Sequence, residues 1–177
     1  MKTYPHIGLD IDGVLANTGK QLAVWAKRLG ITYGVRPDRW YSQQSFVPHT
    51  DDWDTLWDAV KVNEDFWAKI DVFRDDEIID YYPGAYVTAR NTKMLGITKW
   101  WLFERFNFPA AHVECTAYWE QKPQILRRLG ITTYIDDRPE AFEHYRKAGL
   151  DCRLMDRPWN QHVATRYRVY SVNEVIQ

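Results

Sequence analysis

The sequence predicts an α/β fold built on a parallel sheet, because short apolar segments alternate with amphipathic segments along most of the chain. In the amphipathic segments the apolar residues recur about every three to four positions, which is typical of helices. Hydrophobic residues make up 45% and charged residues 27% of the 177 residues. These values are typical of a globular chain, and the length fits one compact domain or one domain with a modest insertion.

The predicted strands are the short apolar runs at residues 6–11, 85–88, 113–116, 131–135 and 152–155. Helical spacing predicts helices over 18–29, 53–60, 92–106, 123–129 and 139–148, and a short turn within 63–70. Gly30, Gly130 and Gly149 stand where three of these helices should end. Pro83 and Gly84 are expected to precede the second strand, and residues 31–50, which show no clear period, are expected to form an irregular connection.

Charge and cysteine content exclude several classes of protein. The 23 basic and 24 acidic residues leave a net charge of -1, so no bulk attraction draws the protein to nucleic acid or to a membrane. The two cysteines, Cys115 and Cys152, make neither a disulfide framework nor a close-spaced metal pair. No secretory signal or membrane span is recognisable. We therefore expect a cytoplasmic protein with no membrane and no polynucleotide partner.

The strongest chemical signal is the segment of residues 10–15, in which Asp10 and Asp12 follow an apolar strand. Residues two apart in a strand point the same way, so the two carboxylates can converge on one small site. Their repulsion would be relieved by a divalent cation, and oxygen ligands favour Mg²⁺. A calcium-binding EF-hand is excluded, because aligning Gly13 with its invariant glycine puts Gly8 and Gly19 where acidic ligands belong.

Other polar residues follow other predicted strands. Thr88 ends one strand, and Asp136 and Asp137 come directly after another. Ligands of open parallel sheets bind at the carboxyl ends of the strands, so these side chains should meet Asp10 in one crevice. Lys122, just before a helix that starts with proline, adds a positive charge of the kind that phosphate sites use.

In this order, these residues closely resemble the four motifs of the haloacid dehalogenase-like phosphohydrolases. The motifs match residues 10–15, residues 87–90, Lys122 and residues 135–137. The resemblance implies a Rossmann-like core, formed by residues 1–17 and 81–177, with a small helical cap inserted as residues 18–80. Dehalogenases of this superfamily generally lack the second aspartate, so Asp12 favours phosphoryl transfer.

The resemblance also implies roles for individual residues. Asp10 would attack phosphorus to give an aspartyl-phosphate, and Asp12 would protonate the leaving oxygen and later activate water. Mg²⁺ would be bound by Asp10, by the backbone carbonyl of Asp12, and by Asp136 or Asp137, with the choice between the last two open. The phosphate-binding residues would be Thr88, Ala89, Arg90, Lys122 and Lys99.

Within the superfamily, the chain is most similar to the 5'(3')-deoxyribonucleotidases. The likeness lies in residues 10–17, in the aromatic cluster of the insert and in residues 99–106. Aromatic residues make up 15% of the chain, with nine tryptophans among them. The substrate pocket is expected to contain Trp40, Tyr41, Trp57, Phe66 and Trp67. Trp53 shares the helical face of Trp57, where packing explains it better than ligand contact.

These features predict a Mg²⁺-dependent phosphomonoesterase acting on a small phosphorylated metabolite, in particular a nucleoside monophosphate. The sequence leaves open a phosphatase for sugar phosphates or for the 3' ends of polynucleotides, and a non-catalytic binding module with the same fold. A homodimer is compatible with the sequence. The near-neutral charge disfavours the polynucleotide substrate, since such a site needs a basic track.

Overall fold

The computed structural model describes residues 1–31, 50–73, 79–108 and 112–176, without the side chains of Thr50 and Asp51. Within these residues, six parallel strands form one sheet in the order β3-β2-β1-β4-β5-β6. They are β1 (Lys2–Leu9), β2 (Tyr81–Thr88), β3 (Val113–Cys115), β4 (Thr133–Asp136), β5 (Asp151–Met155) and β6 (Arg168–Val169). The predicted α/β class with a parallel sheet is confirmed; the two-residue strand β6 was too short to show a pattern in the sequence.

Helices flank this sheet. They are α1 (Thr18–Arg28), α2 (Thr50–Val60), α3 (Glu64–Ala68), α4 (Leu95–Phe106), α5 (Lys122–Arg128) and α6 (Pro139–Lys147), with short 3₁₀ turns at Thr92–Met94, Trp119–Gln121, Pro158–Asn160 and Val172–Ile176. Asparagine side chains begin two of the helices: Asn17 accepts a hydrogen bond from the Lys20 N–H, and Asn63 accepts one from the Phe66 N–H. In the described segments, no helix combines the length and the apolar character that crossing a membrane requires.

The order of the strands brings the predicted motifs to one edge of the sheet. Strand β1 lies between β2 and β4, with Leu9 opposite Tyr86 on one side and Ile135 on the other. Because all three strands are parallel, their carboxyl ends lie side by side. Asp10, Thr88 and Asp136 therefore emerge at neighbouring positions.

The start of β2 differs from the prediction. Pro83 and Gly84 lie inside the strand, where the pairing with β1 shifts register between Tyr4 and Gly8. Proline is tolerated here because the ladder between β1 and β2 is interrupted directly after the pair of Tyr4 and Pro83. A Cβ atom at position 84 would lie 2.1 Å from the carbonyl oxygen of Pro5, so the two backbones approach as closely as they do only because residue 84 is glycine.

Substituting Gly84 tests this close approach. Gly84→Ala is expected to lower the free energy of unfolding by at least about 2 kcal/mol, because the backbone of Pro5 has to move. Gly96→Ala is the matched control, since no atom lies within 4 Å of the added methyl group and alanine favours the helix. Urea unfolding of both variants gives the comparison; equal stabilities would contradict the strained contact.

The described part of the segment 18–80 packs directly on the sheet. Leu56 of α2 and Phe66 of α3 are fully buried in the same apolar cluster as Ile7 and Leu9 of β1. The Trp101 indole N–H of α4 donates to the carbonyl oxygen of Ile70 at 2.8 Å. These contacts place α2 and α3 over the edge of the sheet that carries the motifs, and the division into core and cap stays a prediction.

Candidate active site

Asp10 is positioned by the end of β1 and by a lysine from α5. One carboxylate oxygen, Oδ1, accepts a hydrogen bond from the Ile11 N–H at 2.7 Å. The other, Oδ2, lies 2.7 Å from Nζ of Lys122, which also contacts Asp136 Oδ2 at 3.1 Å. Lys122 is 1% exposed, so this ion pair is shielded from water and holds both carboxylates in place.

The pKa values of Asp10 and Lys122 depend strongly on the neighbouring charges. Burial raises the pKa of Asp10 well above its usual range; Lys122 opposes this rise, whereas Asp136 and Asp137 add to it. For Lys122, burial acts to lower the pKa, but the two carboxylates outweigh burial and the pKa is raised. Lys122 therefore keeps its positive charge, and Asp10 needs further positive charge to ionise readily.

Three buried carboxylates, those of Asp10, Asp136 and Asp137, have oxygen atoms within 4.8 Å of one another. Among the described residues, Lys122 contacts two of these carboxylates, Asp10 and Asp136, and its one positive charge does not balance three negative charges. A divalent cation would balance the rest. Gly13, with a φ of +79°, closes the other side: a Cβ there would lie 2.1 Å from Asp137 Oδ2. The donor set consists of oxygen atoms only, so these residues fit Mg²⁺.

The loop that follows β5 holds this cluster. The Trp159 indole N–H donates to Asp137 Oδ2 at 2.9 Å, and Asn160 Nδ2 donates to the Asp137 carbonyl oxygen at 2.9 Å. Arg157, which is 4% exposed, donates to the carbonyl oxygens of Gly13 and Val14. The loop after β5 therefore ties the first and the last motif together.

Asp12 has a different environment from Asp10. Its Oδ1 accepts hydrogen bonds from Thr18 Oγ1 and from Arg90 Nη2, and its Oδ2 accepts from Thr88 Oγ1 at 2.9 Å and from Arg90 Nε at 2.8 Å. Although burial acts to raise the pKa of Asp12, the charge and hydrogen bonds of Arg90 outweigh burial and lower it. The two aspartates of the motif thus differ in pKa because of their partners.

A cavity of about 290 Å³ opens above these aspartates. The described residues that line it are Asp10, Asp12, Thr18, Leu22, Trp53, Trp57, Trp67, Thr88, Ala89, Ala117, Tyr118, Trp119, Glu120 and Arg138. On one side, Trp53 and Trp57 stack with ring centroids 5.8 Å apart, and Trp67 meets Trp57 edge to face at 6.4 Å. The cavity therefore joins a pair of carboxylates to a wall of three indole rings.

Comparison with known proteins identifies the family. Residues 4–177 match the family described as "5' nucleotidase, deoxy (Pyrimidine), cytosolic type C protein". The chain belongs to this nucleotidase family. It is therefore a phosphatase of the nucleotidase type within the haloacid dehalogenase-like phosphohydrolases, as the sequence motifs indicated. A search of curated protein sequences found no match.

Solved structures support the fold of this nucleotidase. The chain is similar to an L-2-haloacid dehalogenase, with a TM-score of 0.53, 15% identity and coverage of 97% of this chain and 92% of the other. A haloacid dehalogenase-like hydrolase from Streptococcus pneumoniae gives a TM-score of 0.51 and 12% identity, over 85% and 83% of the two chains. A β-phosphoglucomutase from Clostridium difficile gives a TM-score of 0.50 and 11% identity, with coverage of 98% of this chain and 93% of the other. At these identities the similarity shows the fold alone.

Most of the predicted phosphate-binding residues of the nucleotidase lie near the cavity. Thr88 and Ala89 line it, and Lys122 lies beside Asp10. Lys99 is half-buried on α4 and does not belong to the described lining of the cavity.

The side chains of Arg90 and Asp12 contact each other. Arg90 is fully buried and directs its guanidinium at Asp12 and Thr98, so it does not face a phosphate in the cavity. The carboxylate of Asp12 is separate from the cluster that fits a metal, because Arg90 and two threonine hydroxyls contact its oxygens; the predicted metal contact of its backbone carbonyl stays a prediction. The sequence placed Arg90 at the cavity because it follows Thr88 and Ala89, but the chain turns its side chain inward.

Some of the residues predicted to form the substrate pocket line the cavity, and others do not. Trp57 and Trp67 line the cavity as expected. Phe66 does not, because it is fully buried behind Trp67, with the two ring centroids 4.8 Å apart. Trp40 and Tyr41 lie outside the described residues.

Trp53 also lines the cavity, although its helical spacing favoured a packing role. Trp119 and Arg138, which the sequence did not single out, complete the opposite wall, with the guanidinium 5.0 Å from a ring centroid of Trp119.

Proposed function

We propose that this nucleotidase is a Mg²⁺-dependent phosphomonoesterase that hydrolyses deoxynucleoside monophosphates through an aspartyl-phosphate. The observation that carries the proposal is that Asp10 and Asp12 line the same cavity as the indole rings of Trp53, Trp57 and Trp67. A flat base stacks favourably on such rings, while the phosphate reaches the carboxylates. The description of the family, which names deoxy and pyrimidine, supports the same substrate class.

In the first step, an oxygen of the Asp10 carboxylate attacks phosphorus, and the bond between phosphorus and the ester oxygen breaks. The leaving oxygen of the sugar takes a proton from Asp12, and the nucleoside departs as an alcohol. Arg90 lowers the pKa of Asp12 in the free enzyme, so the acid role requires the negative charge of the bound phosphate to raise that pKa. Asp10 is suited to the attack because its second oxygen is held by Lys122 and the first by the Ile11 N–H. Only a small rotation remains free to the carboxylate, which favours in-line approach.

In the second step, water attacks the same phosphorus atom and gives a proton to Asp12. The bond between phosphorus and the Asp10 oxygen breaks, which releases inorganic phosphate and restores both aspartates. Lys122 and Thr88 are placed to stabilise the charge that develops on the phosphoryl oxygens. Mg²⁺, held by Asp10 with Asp136 and Asp137 as the further candidate ligands, would contribute positive charge that neutralises the phosphate.

A panel of substrates tests this function. Purified protein with Mg²⁺ should release phosphate from deoxynucleoside monophosphates with a higher kcat/KM than from a pentose 5-phosphate that lacks a base. An oligonucleotide with a 3' phosphate should be a poor substrate, in agreement with the net charge of -1. Equal rates on the pentose phosphate, or preference for the oligonucleotide, would contradict the proposal and favour a sugar phosphatase or a polynucleotide phosphatase.

Removal of one indole ring tests the role of the aromatic wall. Trp57→Ala is expected to raise the KM for a deoxynucleoside monophosphate by about 10-fold to 100-fold, because one base-stacking contact contributes about 1–3 kcal/mol. The KM for the pentose phosphate should stay within about 2-fold, since that substrate has no base to stack. Trp100→Ala is the matched control, because Trp100 is 47% exposed on α4 and lies away from the described lining of the cavity. An equal rise for both substrates would assign Trp57 to packing.

The cellular setting follows from the same proposal. The family is described as cytosolic, and a deoxynucleoside monophosphate is a cytoplasmic metabolite, so we place the enzyme in the cytoplasm. A homodimer is part of the proposal and is tested by light scattering of the purified enzyme.

A further inference from the structure

We propose that Arg90 is a positioning residue that holds Asp12 in the orientation required for proton transfer, and that it acts through Asp12 and not on the substrate. This inference rests on the proposed function, in which Asp12 gives a proton to the leaving oxygen. It assigns to Arg90 a role different from the phosphate contact that its place in the second motif suggests.

The contact between Arg90 and Asp12 has the geometry of a two-pronged clamp. Nε lies 2.8 Å from Oδ2 and Nη2 lies 2.8 Å from Oδ1, so both carboxylate oxygens are bound by one planar group. Such a fork fixes the plane of the carboxylate as well as its distance. The side chain of Arg90 is fully buried and that of Asp12 is 15% exposed, so the clamp lies on the protein side of the carboxylate.

Arg90 is itself held from three directions. Its remaining donor Nη1 lies 3.2 Å from Thr98 Oγ1 on α4. Its guanidinium carbon lies 4.5 Å from a ring centroid of Trp67 and 5.9 Å from one of Trp101. Trp67 also lines the cavity, so one indole ring separates the guanidinium from the space that the substrate enters. The clamp is therefore rigid and is kept apart from the phosphate.

The hydrogen bonds of Asp12 indicate which of its partners the substrate can displace. A carboxylate has about four acceptor positions, and here two are taken by Arg90 and two by the hydroxyls of Thr18 and Thr88. A hydroxyl can donate or accept, whereas a guanidinium can only donate. Both threonines line the cavity and Arg90 does not belong to its described lining. The leaving oxygen therefore takes the place of a threonine hydroxyl, while Arg90 keeps the carboxylate in one plane throughout.

The decisive variant is Arg90→Lys, which keeps the charge but cannot bridge both oxygens. We expect kcat/KM for a deoxynucleoside monophosphate to fall about 100-fold, because the alkoxide leaving group needs the proton from Asp12. For an aryl phosphate with nitrophenol as leaving group, kcat/KM should fall less than about 5-fold, since this group leaves without a proton. The KM for the nucleotide should change little, because Arg90 does not touch it. Arg128→Lys, at an exposed arginine paired with Glu114, is the matched control.

Two further measurements separate positioning from a structural role. In an Asp12→Asn background, Arg90→Lys should cause no additional loss of kcat/KM, because its effect passes through the Asp12 carboxylate. Thr98→Val, which removes one anchor of the guanidinium, should show the same preference for the aryl phosphate with a smaller loss, about 5-fold. If Arg90→Lys fails to fold, Thr98→Val tests the same positioning role.

The outcomes that overturn the inference are distinct. A raised KM with equal losses on both substrates, together with weaker inhibition by inorganic phosphate, would make Arg90 a phosphate ligand. Equal losses accompanied by a lowered urea midpoint would make its role structural. Failure of the proposed function shows itself differently, as absence of Mg²⁺-dependent nucleotide hydrolysis in the unsubstituted enzyme.

Discussion

The Asp10→Asn variant is expected to lose at least about 1,000-fold in kcat on a deoxynucleoside monophosphate, because the amide cannot form the bond to phosphorus. The fold should survive, since asparagine keeps the size of the side chain, its carbonyl oxygen can still accept the hydrogen bond from the Ile11 N–H, and Lys122 keeps its contact with Asp136. Removal of one of three crowded carboxylates also relieves repulsion at the cluster. We therefore expect an inactive protein with unimpaired thermal stability.

The measurement has two parts. Phosphate release gives kcat, and acid-quenched enzyme incubated with labelled nucleotide should carry phosphate on Asp10 in the unsubstituted protein and none in the variant. Asp80→Asn is the matched control, because Asp80 is exposed and lies at the opposite end of β2 from the cavity. Activity of Asp10→Asn close to that of the control would contradict nucleophilic catalysis by Asp10.

The Lys122→Met variant is expected to show a loss of stability that depends on the divalent cation. In the presence of a chelator, the free energy of unfolding should fall by about 3–5 kcal/mol, because the substitution leaves Asp10 and Asp136 buried without their cation. With saturating Mg²⁺ the loss should be less than half as large, since the metal replaces the missing charge. Catalysis should fall as well, by about 100-fold in kcat, because a charge on the phosphoryl oxygens is lost.

Urea unfolding in chelator and in Mg²⁺ gives the two stabilities. Lys69→Met is the matched control, because this lysine is 59% exposed and pairs with Asp65 on the surface of α3. Its stability should change by less than about 1 kcal/mol in either condition. An equal loss for Lys122→Met with and without Mg²⁺ would show that the carboxylate cluster does not bind the cation.

Much of the site could be predicted because its residues stand at the ends of predicted strands. Asp10, Thr88 and Asp136 follow apolar runs, and the parallel sheet brings such positions together whatever the details of packing. Lys122 was recognisable because it precedes a proline at the start of a helix. The tryptophans of α2 were visible as a helical stripe, but periodicity does not reveal which side of that stripe faces a cavity.

The side-chain contacts that the sequence could not assign share a physical cause. Arg90 and Phe66 stand next to cavity residues in the sequence, yet both point into the protein interior. Trp159 and Asn160 reach Asp137 from a loop with no periodicity, so their contacts span more than twenty positions without a local pattern. Side-chain direction in loops and at the ends of strands depends on the packing of the whole molecule.

The sequence alone determined the parallel α/β fold and the aspartate pair, because apolar periodicity and the residues at strand ends are local properties of the chain. The superfamily followed from the resemblance of four motifs to those of known phosphohydrolases. The tertiary structure decided which partners each charged group has. Lys122 lies 112 positions from Asp10, and Arg90 lies 78 positions from Asp12, but each forms a buried ion pair with it. Such pairs exist because α5 and β2 pack at one edge of the sheet, where burial excludes water and makes each charge depend on its neighbour.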